Sequence, residues 1–359
     1  MLGFIFLTIS LWAWYVILRR HIGSMVSHPL VLLALTVPLN FGSLGILSSL
    51  FMILHFSIAN SFLFAVAFIL LLALTSYRKK DSAIFATKKP YNRYILVMWA
   101  VTFLLLLQLM LNTLVEAPDG SLITPTPVST ADSSYHLHQV LRFQQAKYWD
   151  FTEADFSGEF IRYPYIINFI SGVLMKFDMP LPLAYHLPLL LAAAAALFLF
   201  LELLKELDMK RSLLLPVFLI AFFASGLGYI NYPDSKGFTP LYRAYSVYPM
   251  ENIAYAGLIP GLLPSQRTFS LGLGLALASI ILVCIGLKKQ KKEPFIFAGL
   301  AYGFLPLSHT HSFLALSLFM GGGSSISFVP KRQRSKNISH PLYNAWIALG
   351  RSANTGAHI

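Results

Sequence analysis

The chain has 359 residues, of which 56% are hydrophobic and only 12% are charged, and its mean hydropathy is +0.65. Soluble domains carry about 25% charged residues, so this composition excludes an ordinary soluble enzyme and a disordered protein and indicates a polytopic membrane protein. The net charge is +12, which in a membrane protein first indicates basic cytoplasmic loops rather than nucleic-acid binding.

Nine apolar stretches predict spanning helices, because a helix needs roughly 20 mainly apolar residues to cross a bilayer. They are residues 2–18, 30–54, 57–76, 95–115, 183–204, 213–230, 268–287, 295–309 and 312–329. The first stretch has no basic region before it and no small-residue cleavage site after it, which predicts a retained membrane segment rather than a signal peptide. The single cysteine, Cys284, excludes an intramolecular disulfide and a cysteine-based zinc site.

Basic residues cluster between the predicted spans, and we place these clusters in the cytoplasm. They lie at 19–20, 78–93, 205–211, 288–292 and 331–336. The spans then alternate correctly if the short apolar segment 163–177 lies along the membrane surface. The cytoplasmic side carries 20 basic and five acidic residues, a net +15, and the outer side carries seven basic and ten acidic residues, a net −3. The charge is therefore a topology signal that also attracts anionic lipids, and we expect no nucleic-acid partner.

The predicted organisation is an all-α, multi-pass bundle in the cell membrane with three parts. Residues 1–94 form an N-terminal three-helix segment, and 95–330 form a core with outer loops 116–182 and 231–267. Residues 331–359 are predicted to be a cytoplasmic tail, either disordered or the end of a truncated chain.

The first outer loop is the main candidate for function. Loops that only connect two spans are short, whereas a loop of this length is usually functional or disordered. Its segment ADSSYHLHQVLRFQQAKYWDF has a helical pattern in which Asp132, His136 and Gln139 share one face. An Asp and a His one turn apart can chelate a cation or control one another's protonation. The alternative is that Asp132 caps the helix N-terminus and that the histidines are interfacial.

This arrangement resembles the GT-C class of integral-membrane glycosyltransferases. That class includes the oligosaccharyltransferase catalytic subunits, the protein O-mannosyltransferases and the bacterial aminoarabinose transferases. The resemblance rests on helix 95–115, Asp132, the segment SSYHLHQVLRF, then RYPYIINFISGVL and PLAYHLPLLLAAAAALFLFLELLKEL. The later segments LIPGLLPSQRTFSLGLGLALA and GLAYGFLPLSHTHSFLALSLF also resemble bacterial membrane proteins of this class, so the likeness covers about 95–320.

The resemblance implies a polyprenyl-phosphate-linked sugar as donor and a glycan, lipid or protein as acceptor on the outer face. It makes Asp132 the catalytic candidate, acting as general base on the acceptor or helping to hold a divalent cation, Mg²⁺ or Mn²⁺. A catalytic base must come within hydrogen-bond reach of the acceptor proton. A loop helix held at the outer face next to a lipid phosphate offers that reach.

Five further residues are candidates for substrate binding beside His136. Arg267 lies where a helix enters the membrane and can clamp a lipid phosphate or merely extend to the interface. Arg162 opens the RYPYIINF segment, and Glu251 is either a second acid like that of the oligosaccharyltransferases or a solvated charge. His309 and His311 either contact substrate, complete a metal site with Asp132 and His136, or pack at the interface.

Two other functions remain open at this stage. A transporter or flippase places acids or bases near the middle of the bilayer and often contains repeats, whereas no spanning stretch here has a central Asp, Glu, Lys or Arg. The third possibility is a non-catalytic or inactive, truncated membrane protein.

Overall fold

The computed structural model describes residues 2–26, 28–77, 92–111, 113–123, 130–149, 151–153, 158–224, 258, 262–263 and 266–327, with backbone only for 130–132 and 322–327. These residues form eleven helices and one short hairpin. The helices are α1 Leu2–Ile22, α2 Pro29–Ile53, α3 Ile58–Tyr77, α4 Arg93–Leu111, α5 Thr130–Gln145, α6 Ile166–Lys176, α7 Leu181–Glu206, α8 Arg211–Phe223, α9 Arg267–Lys289, α10 Glu293–Ser308 and α11 Thr310–Ser327. Strands β1 (Val115–Glu116) and β2 (Leu122–Ile123) pair antiparallel after α4.

Six of the helices are long and apolar enough to cross a membrane, which makes the chain a multi-pass membrane protein. They are α1, α2, α3, α4, α7 and α9, with 19 to 26 residues each. Three other predicted spans are shorter, because α8 has 13 residues, α10 has 16, and the apolar part of α11 is Thr310–Gly321. At 1.5 Å per residue, a helix the length of α8 reaches about 20 Å, less than the ~30 Å of a bilayer core.

Helices α7 and α9 run parallel at the centre of the bundle. Arg267 at the start of α9 donates to the carbonyl of Tyr185 in the first turns of α7, at 2.6 Å. At their other ends, the Lys288 ammonium of α9 donates to the Glu206 carboxylate of α7, at 3.2 Å. The two helices therefore run from the same end of the bundle to the same opposite end.

The basic clusters of α1, α7 and α9 meet at one end of the bundle. His21, which follows Arg19 and Arg20 in α1, packs on Phe297 of α10, just after the lysines that close α9, with ring centroids 6.0 Å apart. We call this the basic end. The opposite loop end holds the start of α1, where the Gly3 amide donates to the Phe177 carbonyl, and also α5 and α6.

Helix α6, which covers most of the segment 163–177 expected along the membrane surface, is packed among other helices at the loop end. All of its residues from Ile166 to Leu174 are buried, and it contacts α1, α2, α3, α5, α7, α9 and α10. Its 11 residues are too few to cross a bilayer as a helix. This length agrees with the expectation that the segment does not span. The polar residues of α6 face other parts of the protein.

The chain divides into two compact units at residue 310. The first, Met1–Thr310, contains α1 to α10, and the second, His311–Ile359, is described only through α11. In the second unit Leu314 and Leu318 are 54% and 77% exposed. The boundary that we predict at residue 94 stays a prediction.

Candidate functional site

Helix α5 buries its polar face against α6. His136 and Gln139 are 1% and 2% exposed, next to the fully buried Val140. The helix can approach closely because α6 has Gly172 there, whose Cβ position would lie 2.5 Å from the Val140 carbonyl oxygen. The side chains of His136 and Gln139 therefore point into the protein.

A chain of hydrogen bonds runs from a buried arginine to a carboxylate through this interface. The Nε–H of Arg267 donates to Oδ1 of Asn168 at 3.0 Å, and Nδ2 of Asn168 donates to Oε1 of Gln139 at 2.6 Å. Nε2 of Gln139 then donates to the Tyr135 hydroxyl at 2.7 Å, and that hydroxyl donates to Oε2 of Glu153 at 3.0 Å. Every donor in this relay points the same way, from the cation towards the anion, so the bonds polarise one another.

Arg267 is fixed on all sides at the start of α9. Its side chain is 1% exposed, and besides Asn168 it donates to Ser171 Oγ at 2.7 Å and to the Tyr185 carbonyl at 2.6 Å. The guanidinium carbon also lies 3.7 Å from the centroid of the Tyr185 ring, a cation–π contact. No carboxylate of the described residues pairs with it directly. Arg267 thus neither extends to an interface nor presents its three bonded nitrogens to a ligand.

His136 is held neutral with one nitrogen in use. Asn168 Nδ2 donates to its Nδ1 at 2.9 Å, which leaves the proton on Nε2. Nε2 is buried and has no hydrogen-bond partner among the described residues. Burial, with the Arg267 charge as the second cause, lowers the pKa of His136 from 6.5 to about 3. The ring therefore offers a neutral N–H donor that no described group accepts.

A second histidine ties the end of α4 to this site. Nε2 of His186 in α7 donates to the carbonyl oxygen of Leu114 at 2.9 Å. Leu114 packs in turn with Val140 of α5 and Tyr185 of α7 in one buried cluster. The residues after α4, the loop helix α5 and the start of α7 are therefore held together beside Arg267.

Among the described side chains, two of the predicted site residues, His136 and Arg267, come together through Asn168. Arg162 is 85% exposed and pairs with Glu159 at 3.0 Å. His309 packs against the Phe269 ring, 5.3 Å between centroids, at the end of α10.

Three other predicted residues are less defined. Asp132 lies in the first turn of α5, with its side chain outside the described residues, and Glu251 lies outside them entirely. His311 is exposed at the start of α11, in the second unit.

The described residues form no metal site by themselves. Among them, no three His, Cys, Asp or Glu side chains come close enough together to hold an ion. The Nδ1 lone pair of His136 accepts from Asn168, and its Nε2 carries the proton, whereas a metal ligand needs a free lone pair. A Mg²⁺ or Mn²⁺ ion bound through Asp132 stays a prediction.

Sequence reasoning missed Asn168, Ser171 and Tyr185, which build most of the site. The signal was present, because Asn168 and Ser171 are polar residues three apart in the apolar run YPYIINFISGVL, and three residues apart on a helix is one face. Their partner, Arg267, lies about a hundred positions further along the chain, and no spacing rule links them.

No protein-family model matches this chain, and no curated protein and no solved structure matches it either.

Proposed function

We propose that the chain is a membrane glycosyltransferase that moves a sugar from a polyprenyl-phosphate-linked donor to an acceptor on the extracytoplasmic face. The observation that supports this most is the Arg267–Asn168–His136 network, which fixes the loop helix α5 on the start of the spanning helices. Buried polar chemistry at the loop end suits a reaction at a membrane surface, where the donor's phosphate and sugar would lie.

In this proposal Asp132 is the general base. It takes the proton of the acceptor hydroxyl while the acceptor oxygen forms a bond to the sugar, and the bond from the sugar to the phosphate breaks with its electron pair leaving on the polyprenyl phosphate. Asp132 lies one helical turn before His136 in α5, and positions four apart on a helix are neighbours on one face.

His136 and Arg267 have different parts in the proposal. The Nε2–H of His136, which no described group accepts, is the donor that we assign to a phosphate oxygen of the lipid. Arg267 is a positioning residue, since its contacts are to Asn168, Ser171 and Tyr185. It acts through Asn168 on the position of α5.

The experiment compares Asp132→Asn with Asp119→Asn in cells that lack the native protein, with the surface glycan profile as readout. Asp119 is the matched control, because it is an acid of the same loop that is exposed and bonds to Ser121 in the β1–β2 turn. We expect Asp132→Asn to abolish a glycan that Asp119→Asn leaves intact. A normal glycan in Asp132→Asn cells, with the variant present at wild-type level, would contradict the role of Asp132.

A transporter or flippase is the second candidate, and Asn40 favours it. Asn40 is fully buried in the middle of α2, and neither its side-chain nitrogen nor its oxygen has a hydrogen-bond partner in the described residues. Uncompensated polar groups inside a bundle are typical of substrate and ion pathways. Loss of transport of a lipid-linked sugar by Asn40→Leu, with transfer chemistry intact, would favour this function over the first.

We also propose nine membrane crossings, the six long helices together with the predicted spans 213–230, 295–309 and 312–329, in which α8, α10 and α11 lie. Their support is the parallel arrangement of α7 and α9, which requires a return crossing between them, and the position of the α10 start at the basic end. With nine crossings, the basic end faces the cytoplasm and the loop end faces outside.

A further inference from the structure

An open groove of about 1120 Å³ lies on the side of α5 away from Arg267, between that helix and the end of α2. We call it the α2–α5 groove. Its wall combines apolar side chains with polar and aromatic ones, and both kinds come from the end of α2 and from α5. The apolar part of the lining includes Ile53 and Leu141, and the polar part includes His138, Arg142, Gln145 and Tyr148.

The floor of the groove is built from fixed side chains. Trp149, which lines it, is 5% exposed and packs edge-on against Phe143 and Tyr165, each at 4.7 Å between ring centroids. The Lys147 carbonyl accepts from the Ile58 amide at the start of α3, at 2.9 Å. The groove is therefore a preformed feature, as binding sites for small amphiphiles usually are.

The polar part of the groove contains the Arg142 guanidinium. The Arg142 guanidinium donates to the Thr152 hydroxyl and, at 3.4 Å, to the Glu153 carbonyl, which fixes its plane. The Lys147 ammonium lies 5.2 Å from the centroid of the Tyr148 ring at the same rim. Of the described residues that line the groove, none is acidic. A planar guanidinium held in this way matches the oxygens of a phosphate group.

The apolar part of the groove continues into the lipid-facing surface. Ile53 lines the groove and is 59% exposed at the end of α2, next to Leu50 and Leu54, which are 53% and 65% exposed. Exposed apolar side chains at the end of a spanning helix are suited to contact with lipid. A ligand can therefore enter the groove sideways from the bilayer, with its chain along Ile53 and its headgroup towards Arg142.

We propose that the α2–α5 groove binds an anionic phospholipid of the bilayer, with the phosphate against Arg142 and one acyl chain along Ile53 and Leu141. The combination of a fixed guanidinium with a wall open to lipid favours this ligand over a free phosphate, which needs no apolar wall, and over a neutral glycan, which needs no cation. The site is separate from the Asp132–His136 face of α5 and does not depend on glycosyl transfer.

The test is native mass spectrometry of the full-length protein in a neutral detergent, titrated with phosphatidylglycerol or phosphatidylcholine of the same chains. We expect tighter retention of phosphatidylglycerol by the wild type. Arg142→Gln should weaken that retention about tenfold, the effect of losing a charge-assisted phosphate contact. Gln145→Trp fills the groove from an exposed position on α5 and should weaken the retention of phosphatidylglycerol while Arg142 stays in place. Ser134→Trp, at an exposed position of the same helix outside the groove, should leave the retention unchanged.

Three results would overturn the proposal. One is equal retention of the two lipids by the wild type, and another is retention of phosphatidylglycerol by both Arg142→Gln and Gln145→Trp at the wild-type level. The third is displacement of the lipid by millimolar inorganic phosphate or by a neutral oligosaccharide, which would make the groove a site for a soluble anion or a glycan.

Discussion

Arg267 shows how a charged side chain is accommodated among buried residues when none of the described carboxylates pairs with it directly. An isolated buried charge is costly, and its cost falls when every polar atom around it is bonded. Here three guanidinium nitrogens bond to Asn168, Ser171 and the Tyr185 carbonyl, and the relay ends on the Glu153 carboxylate. The cation therefore stabilises the junction of α5, α6, α7 and α9 only as long as the whole set is intact.

Replacing Arg267 should destabilise the protein strongly. Arg267→Gln leaves buried acceptors on Asn168 and Tyr185 unpaired, and each such group costs about 1–3 kcal/mol. We expect the melting temperature in detergent to fall clearly, as measured by intrinsic fluorescence. Arg162→Gln is the matched control, since Arg162 is 85% exposed and its ion pair with Glu159 is a surface pair of little net value. Equal melting temperatures for the two variants would contradict the structural role of Arg267.

The buried His136 should make stability fall in acid. Its folded-state pKa of about 3 lies below the unfolded value of 6.5, so between these values the unfolded state binds a proton that the folded state does not. Stability is then full above pH 6.5 and is lost as the pH falls towards 3, with a slope of up to about 1.4 kcal/mol per pH unit. His136→Asn keeps an acceptor for Asn168 but does not titrate.

The measurement is the melting temperature of wild type and His136→Asn from pH 7 to pH 4. The wild type should lose more stability than the variant over this range. Identical pH profiles would show that His136 is not a buried neutral imidazole.

At the scale of elements, helix α5 is held on α6 at two points. Gly172 allows the close approach, and the Lys176 ammonium donates to the carbonyls of Gln144 and Ala146 at 2.6 and 2.7 Å. Those carbonyls lie at the C-terminal end of α5, where a cation is favourable. The loop helix is thus positioned by α6, which the sequence alone does not predict.

A methyl group at Gly172 should push α5 away from α6. Its position would be 2.5 Å from the Val140 carbonyl and 2.6 Å from Phe143 Cβ, and overpacking of this kind costs about 1–3 kcal/mol. We expect Gly172→Ala to lower the melting temperature and to increase hydrogen exchange of the α5 amides. Gly303→Ala in α10, where nothing lies within 4 Å, should be neutral or stabilising. Unchanged exchange in α5 would contradict the packing.

The sequence predicts that α5 is a helix and that Asp132, His136 and Gln139 share a face, because both follow from local spacing. It does not predict that this face is buried, because the groups that satisfy it come from α6 and α9. For the same reason, the apolar segment 163–177 is predicted at a surface, whereas α6 is buried. Periodicity reports which residues share a face and leaves open what that face contacts.

At the scale of the whole molecule, charge and length predict more than motifs do. The six long apolar helices and the meeting of the basic clusters at one end of the bundle agree with the spans and clusters read from the sequence. Span lengths are less well predicted, as α8 ends at Phe223. An apolar residue raises the hydropathy of a segment whether it lies within a helix or after the helix has ended.

The sidedness of the bundle can be tested by cysteine labelling in a Cys284→Ala background. Ser134→Cys, exposed on α5 at the loop end, should react with an impermeant reagent added outside intact cells. Gln290→Cys, exposed at the basic end after α9, should react only after the membrane is opened. The reverse pattern would contradict the topology and, with it, an extracytoplasmic reaction.

The most direct test of the proposed glycosyltransferase is to purify the protein with its native lipids and identify what remains bound. We expect a polyprenyl phosphate or its sugar-loaded form in the mass spectrum, retained by the wild type and by Asp132→Asn, in which transfer is blocked and binding is not. Folded protein that carries only ordinary phospholipids, even when polyprenyl-phosphate-linked sugar is supplied, would contradict it.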